Sequence, residues 1–209
     1  MTPLLKNVFS NFRRTAQWYR NSDRRFMWQN IYPAIGDQAR GFDRKLRVLD
    51  IGYAWYNSVN RSLFGSDNIE YTVVDPTRHQ DANYVCDQFI QSTVGELPEV
   101  RPDLRAYFDV VISFGVLGYY SWPPAQVDAY LQAVYELSAT DGSIFVKLDV
   151  RRISRWAADE RVDAASLLHY FEPWKKSRRV GWGRYDFQFL KKRRAISGNH
   201  PPAGLNHQK

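Results

Sequence analysis

Two apolar runs that each close on an acid constrain this chain more than anything else in it. They are Leu46-Arg47-Val48-Leu49-Asp50-Ile51-Gly52 and Tyr71-Thr72-Val73-Val74-Asp75. Short, nearly unbroken runs of branched apolar residues read as strands covered on both faces, the condition of a parallel sheet sandwiched by helices. The two acids lie 75 − 50 = 25 residues apart, the scale of one strand–helix–strand unit.

The rest of the chain repeats that rhythm. Residues up to about Arg40 read as amphipathic helices, with Phe9, Phe12, Ala16 and Tyr19 at helical steps and Ser22-Asp23 offering an N-cap before Arg24. Pro33 and Gly36 read as punctuation before the first strand, Leu46 to Ile51. A short helix is expected around Ser58 to Phe64, ended by Gly65, and a second strand over Ile69 to Val74. Tyr84-Val85-Cys86-Asp87 reads as a third strand that again ends on an acid, and Phe108 to Ser113 as a fourth. Val127, Tyr130, Leu131, Val134 and Leu137 form one apolar stripe of a helix begun near Ser121 and Pro123-Pro124. Asp141-Gly142 turns the chain into a fifth strand, Ser143 to Leu148. A helix over Ala164 to Phe171 follows. Val180 to Trp182 and Tyr185 to Leu190 complete the pattern as a strand pair about Gly183-Arg184. The spacing thus divides the chain into a helical cap over 1–45, an α/β domain over 46–190 and a basic tail over 191–209, which lacks apolar periodicity and reads as disordered.

Composition narrows the class. With 209 residues, 44% of them hydrophobic, one domain with a substantial core is expected. No apolar run approaches the roughly 20 residues that span a bilayer, and Met1-Thr2-Pro3-Leu4-Leu5-Lys6 is too short an apolar start for a signal peptide. Cys86 is the only cysteine, so no internal disulfide forms and a reducing, cytoplasmic setting fits. The formal net charge of +7 gathers at the two ends, in Arg13, Arg14, Arg20, Arg24 and Arg25, then Lys175, Lys176, Arg178, Arg179 and Lys191 to Arg194. Two explanations stand side by side: attraction to an anionic partner such as nucleic acid, or a solvated surface that keeps the protein soluble.

Over roughly Leu46 to Leu190 the chain resembles the class I S-adenosylmethionine-dependent methyltransferases. Val48-Leu49-Asp50-Ile51-Gly52 is similar to the family's first motif, Asp75 to its second-strand acid and Asp87 to the acid after strand three. Phe108 to Leu117 is similar to the fourth-strand motif, and Ala139-Thr140-Asp141-Gly142-Ser143 stands where a Pro-Gly-Gly turn is common. The resemblance implies a doubly wound, mainly parallel Rossmann-like sheet preceded by helices, with a C-terminal antiparallel pair. It also implies an enzyme that uses S-adenosyl-L-methionine. The glycine loop departs from the pattern: after Gly52, Ala54 and Tyr56 replace the second and third glycines. Alanine costs little room at negative φ, whereas tyrosine cannot take over a positive φ. Tyr53, Trp55 and Tyr56 then either shape a pocket or pack against the N-terminal helices.

The site residues follow from that resemblance. Asp50 holds the loop, and Gly52, Tyr53 and Ala54 border the cofactor. Asp75 accepts from ribose hydroxyls, and Asp87 from the adenine amino group. Ser113 at the end of strand four and Phe114 just after it also border the cofactor, with Phe114 or a nearby apolar residue packing on the adenine ring. Capping is the alternative for both acids, Asp75 over Pro76-Thr77 and Asp87 over the next helix. Asp109 is expected to be structural, near the far end of the sheet. Tyr119, Lys147 and Asp149 are the candidates for touching the methyl acceptor. Lys147 resembles the lysine of RNA 2′-O-methyltransferases, but Phe114 stands where their catalytic acid would be. The expected acceptor is an oxygen or nitrogen of a small molecule or glycan. An RNA-directed enzyme and a catalytically silent scaffold are the alternatives. No metal site is expected, since the histidines share no ligand spacing with one another or with an acidic pair.

Overall fold

The structure, a computed structural model, describes residues 25–52, 60–78, 85–114, 116–117, 124–149, 164–180 and 185–193. A π-helical turn, Met27–Ile31, runs into α1 (Tyr32–Arg40), followed by β1 (Leu46–Ile51), α2 (Asn60–Leu63) and β2 (Ile69–Asp75). Then come β3 (Gln88–Gln91), α3 (Leu97–Val100), a 3-10 turn (Pro102–Leu104), β4 (Phe108–Phe114) and α4 (Pro124–Leu137). The chain continues through β5 (Ser138–Asp149), α5 (Ala164–Tyr170), β6 (Phe171–Val180) and β7 (Tyr185–Lys192).

These strands form one seven-stranded sheet in the order β3-β2-β1-β4-β5-β7-β6. The first five are parallel, while β7 runs antiparallel to both β5 and β6. The strand order reverses direction between β1 and β4, so the carboxyl ends of those strands flank the crevice where open α/β sheets take their ligands. The doubly wound sheet with an antiparallel C-terminal pair is the expected architecture.

Each face of the sheet is closed by helices, as the two-sided apolar strands require. Leu49, Ile51, Val111 and Ile144 pack with Leu131, Val134 and Leu137 of α4 on one face. Val48, Tyr71, Val110, Ile112 and Phe187 pack with Ile31, Tyr32, Ile35 and Phe64 on the other. All five residues of the α4 stripe are buried, and each large apolar side chain removed from water stabilises by roughly 1.5–3 kcal/mol. At the amino ends of the strands Asp109 locks β4 to β1. It accepts both guanidinium nitrogens of Arg44 at 2.7 Å and the backbone N–H of Arg47 at 3.0 Å. Burial acts to raise its pKa, but these bonds outweigh that and hold it below the usual carboxylate range.

Several local expectations are corrected. Pro33 and Gly36 lie inside the helical segment rather than ending it. Pro33 has no N–H to give to the preceding turn, and the π turn stands immediately before its helix. Gly36 is where α1 meets the chain after α2: a Cβ there would fall 1.7 Å from the Phe64 carbonyl oxygen. Asp141-Gly142 is an irregularity within β5 rather than the turn before it. Asp141 has φ +62°, and pairing with β4 shifts register between Phe108 and Val110. β3 follows Asp87 instead of ending on it. β6 spans Phe171–Val180, far longer than the Val180 to Trp182 expected, and β7 continues through Lys192, past the Leu190 boundary. The predicted caps at Ser22-Asp23 and Ser121 lie outside the described residues.

Candidate functional site

The carboxyl ends of β1, β2, β3 and β4 converge on Gly52, Asp75, Gln91 and Phe114. Gly52 gives its N–H to the Val74 carbonyl at 2.9 Å and then turns with φ +82°, a conformation that side chains rarely adopt. A Cβ on it would approach Val116 Cγ2 to 2.6 Å. The chain thus leaves β1 through a sharp, close turn at the point where the strand order reverses. Asp75, half-buried at the end of β2, accepts the Thr77 N–H at 2.7 Å on Oδ1. This is the capping geometry, at the last residue of β2.

Asp50 is placed differently. Its side chain is 2% exposed and turns into the face covered by α1 and α2. Tyr71 Oη donates to its Oδ2 at 2.5 Å and Asn60 Nδ2 donates to the same oxygen at 3.2 Å, while Asn60 also reaches Tyr32 Oη at 2.7 Å. Burial pushes the Asp50 carboxyl up to about 7, and the hydrogen bonds from Tyr71, Asn60 and Tyr32 pull in the opposite direction. Asn60 opens α2 on the far side of the 53–59 stretch, so Asp50 ties the two flanks of that stretch to each other and to α1. A sequence reader sees neither Asn60 nor Tyr32 in this role, since neither belongs to a recognisable motif.

The other expected positions divide. Ser113 Oγ and Tyr130 Oη share a buried hydrogen bond of 2.6 Å, and burial pushes the Tyr130 phenol up. Phe114 packs edge-on against Tyr32 and Phe187 at 6.2 and 5.9 Å between ring centroids. Asp87 is corrected in position. It precedes β3, and its Oδ2 accepts the Tyr71 N–H at 2.7 Å, four residues before the Gln91 that pairs with Asp75. That offset is about 13 Å along a strand, so Asp87 stands toward the amino end of the sheet and away from the crevice. Ser92 and Thr93 occupy the carboxyl end of β3 instead. The Ser92 N–H bonds the Asp75 carbonyl at 3.2 Å, and Thr93 Oγ1 donates to Glu96 at 2.8 Å. No sequence signal marked them, because β3 lacks the apolar alternation of its neighbours.

Lys147 is buried at 7% exposure and pairs in register with Phe114 on one side and Phe187 on the other. It is therefore not a solvated surface residue. Asp149 closes β5 opposite Tyr185. Tyr53, Ala54, Trp55, Tyr56 and Tyr119 lie outside the described residues. Among the described residues no group of three His, Cys, Asp or Glu side chains is placed to hold a metal ion, and no helix is long and apolar enough to cross a membrane.

No protein-family model and no curated protein sequence matches this chain. Solved structures do. The Burkholderia thailandensis 1,6-didemethyltoxoflavin-N1-methyltransferase, bound to 1,6-didemethyltoxoflavin and S-adenosylhomocysteine, is 19% identical with a TM-score of 0.54, over 92% of this chain and 91% of that one. The N-methyltransferase NodS of Bradyrhizobium japonicum WM9 is 11% identical with a TM-score of 0.52, over 78% and 97%. The CurJ carbon methyltransferase is 14% identical with a TM-score of 0.60, over 84% of this chain and 57% of that longer one. The fold is the Rossmann-like fold of the class I S-adenosylmethionine-dependent methyltransferases.

Proposed function

We propose that the chain transfers a methyl group from S-adenosylmethionine to an oxygen or nitrogen of a small molecule or glycan. One observation carries the reading: Gly52 turns at positive φ off the end of β1, at the reversal of strand order, with Asp75 at the end of the next strand. The residues present fit an adenosyl group in this respect. A glycine bend lets backbone approach a ligand without a Cβ between them, and a strand-end carboxylate suits a pair of ribose hydroxyls. The cofactor supplies an already activated methyl, so the demand on the protein is mainly to hold donor and acceptor in line. In that arrangement Gly52 gives the turn its clearance, and Asp75 orients the ribose from β2. Asp50 keeps both flanks of the 53–59 stretch in place, and Tyr119, Lys147 and Asp149 are the candidates for contact with the acceptor.

A second reading has its own support. Asp50, Ser113 and Phe114, three of the positions expected to serve the cofactor, already have partners inside the fold. A methyltransferase-like fold that has become a scaffold would look the same. Isothermal titration with S-adenosylhomocysteine decides between the two. Binding in the micromolar range, lost in Gly52→Val, supports the transferase. No heat at millimolar ligand leaves the scaffold.

A further inference from the structure

β6 is the last strand of the sheet, and its outer rim pairs with no other strand among the described residues. Its sequence, Phe-Glu-Pro-Trp-Lys-Lys-Ser-Arg-Arg-Val, places an exposed tryptophan next to a run of cations. Trp174 is 43% exposed, and two near-perpendicular ring contacts, with Phe145 at 6.2 Å and Phe189 at 6.3 Å, hold it in position. Lys175, Lys176 and Arg178 are exposed. Lys175 Nζ lies 5.6 Å from the Phe189 ring, and the Arg178 guanidinium lies 4.7 Å from the Phe26 ring. None of the three makes an ion pair among the described residues, and Glu172 is the one acid within the strand.

Protection of a free edge explains part of this composition. Proline and lysine are what proteins place on edge strands to stop them templating another chain. It does not explain an exposed tryptophan, which adds the stickiness that such protection removes. A second copy docking edge to edge would bring like charges together. An added peptide strand would meet Pro173, which has no N–H, and register shifts between Pro173 and Lys175 and between Lys175 and Arg178, which break the ladder. What the edge does present is an aromatic platform beside several cations, the combination that holds single-stranded nucleic acid through base stacking and phosphate contacts. We infer that β6 is a docking surface for single-stranded nucleic acid, with a base stacked on Trp174 and phosphates met by Lys175, Lys176 and Arg178. This surface is separate from the methyl-transfer site and does not depend on it.

The test is fluorescence anisotropy with a labelled 12-nucleotide oligouridine, run on the full chain at 50 and 200 mM salt. Trp174→Ala should weaken binding about tenfold, within the range of one lost stacking contact. Lys175→Gln with Lys176→Gln should flatten the dependence of log affinity on log salt by roughly 0.7 for each lost phosphate contact. Circular dichroism checks that the variants keep the fold, and S-adenosylhomocysteine titration checks that the other site is unchanged. Trp174→Leu, which keeps an apolar side chain but loses the aromatic platform, should behave as the alanine variant does. Equal affinity in wild type and both Trp174 variants would overturn the inference. So would stronger retention of the chain by anionic vesicles than by the oligonucleotide at matched salt.

Discussion

Tyr71 donates its phenolic hydrogen to Asp50 across 2.5 Å, inside the apolar face of the sheet and with no cation bonded to either among the described residues. An ionised carboxylate there is costly, which is why Asp50 is pushed up to about 7. The sign of the consequence is fixed. Between about 4 and about 7 the folded protein keeps a proton on Asp50 that the unfolded chain has released, so stability falls as pH rises through that window. The contribution is full below it and is on the order of 4 kcal/mol smaller above it. Denaturant unfolding from pH 4 to 8 should show that decline in the wild type and a flatter curve in Asp50→Asn. Identical slopes would mean that Asp50 does not titrate there.

Tyr71→Phe removes the shorter of the hydrogen bonds on Asp50 while keeping the ring. Stability at pH 7 should drop by about 1–3 kcal/mol. The titration of Asp50 should move further up, because the lost bond favoured the charged form. A melt together with a pH series reads both effects. A loss of stability with no movement of the titration would point to packing alone.

Gly36→Ala tests the approach of α1 to the segment after α2. The added Cβ would sit 1.7 Å from the Phe64 carbonyl oxygen, and backbone cannot give way as a flexible side chain would. The substitution raises helix propensity by about 1 kcal/mol, yet it should destabilise the protein by about 3 kcal/mol through overpacking. A higher melting temperature in Gly36→Ala would show that the two segments are further apart than described.

The sheet was legible because its central strands are buried on both faces, which leaves unbroken apolar runs such as Val48-Leu49 and Val110-Val111-Ile112. The stripe of α4 was legible for the corresponding helical reason. Edges were not. Gln88-Phe89-Ile90-Gln91 and Phe171–Val180 are held by pairing and neighbours rather than by their own apolar pattern, so the apolar residues Tyr84 to Cys86 point to a strand ahead of the true β3, and most of β6 has no signal of its own. Asp87 follows that misleading signal: it closes the apolar run, yet it precedes β3 and lies at the opposite end from the crevice. Gly36 reads in sequence as a helix breaker, and only the nearness of Phe64 shows it to be a contact point. Gly52 follows the end of β1 and Asp75 closes β2, the strand ends that the two apolar runs mark in the sequence. The Asn60–Tyr32 support of Asp50 depends on tertiary contacts between residues 28 and 10 positions apart, which no local pattern encodes.

Asp75 offers a substitution that separates its place in the turn from the ribose contact proposed for it. Its Oδ1 already accepts the Thr77 N–H, and an asparagine amide oxygen can accept that bond equally well. What asparagine cannot do is present a second acceptor oxygen to a ribose diol, since an NH₂ donor stands in its place. Asp75→Asn should therefore keep the Thr77 turn bond while binding S-adenosylhomocysteine about tenfold more weakly, the scale of one lost hydrogen bond to a charged group. Asp75→Ala should lose the turn as well, with a stability cost of about 1 kcal/mol and a larger loss of affinity. Calorimetric titration of the three proteins, set beside their melting curves, distinguishes the possibilities. Wild-type affinity in Asp75→Asn would leave Asp75 as a turn residue only, and the ribose would have to be held from elsewhere along the carboxyl ends of the sheet.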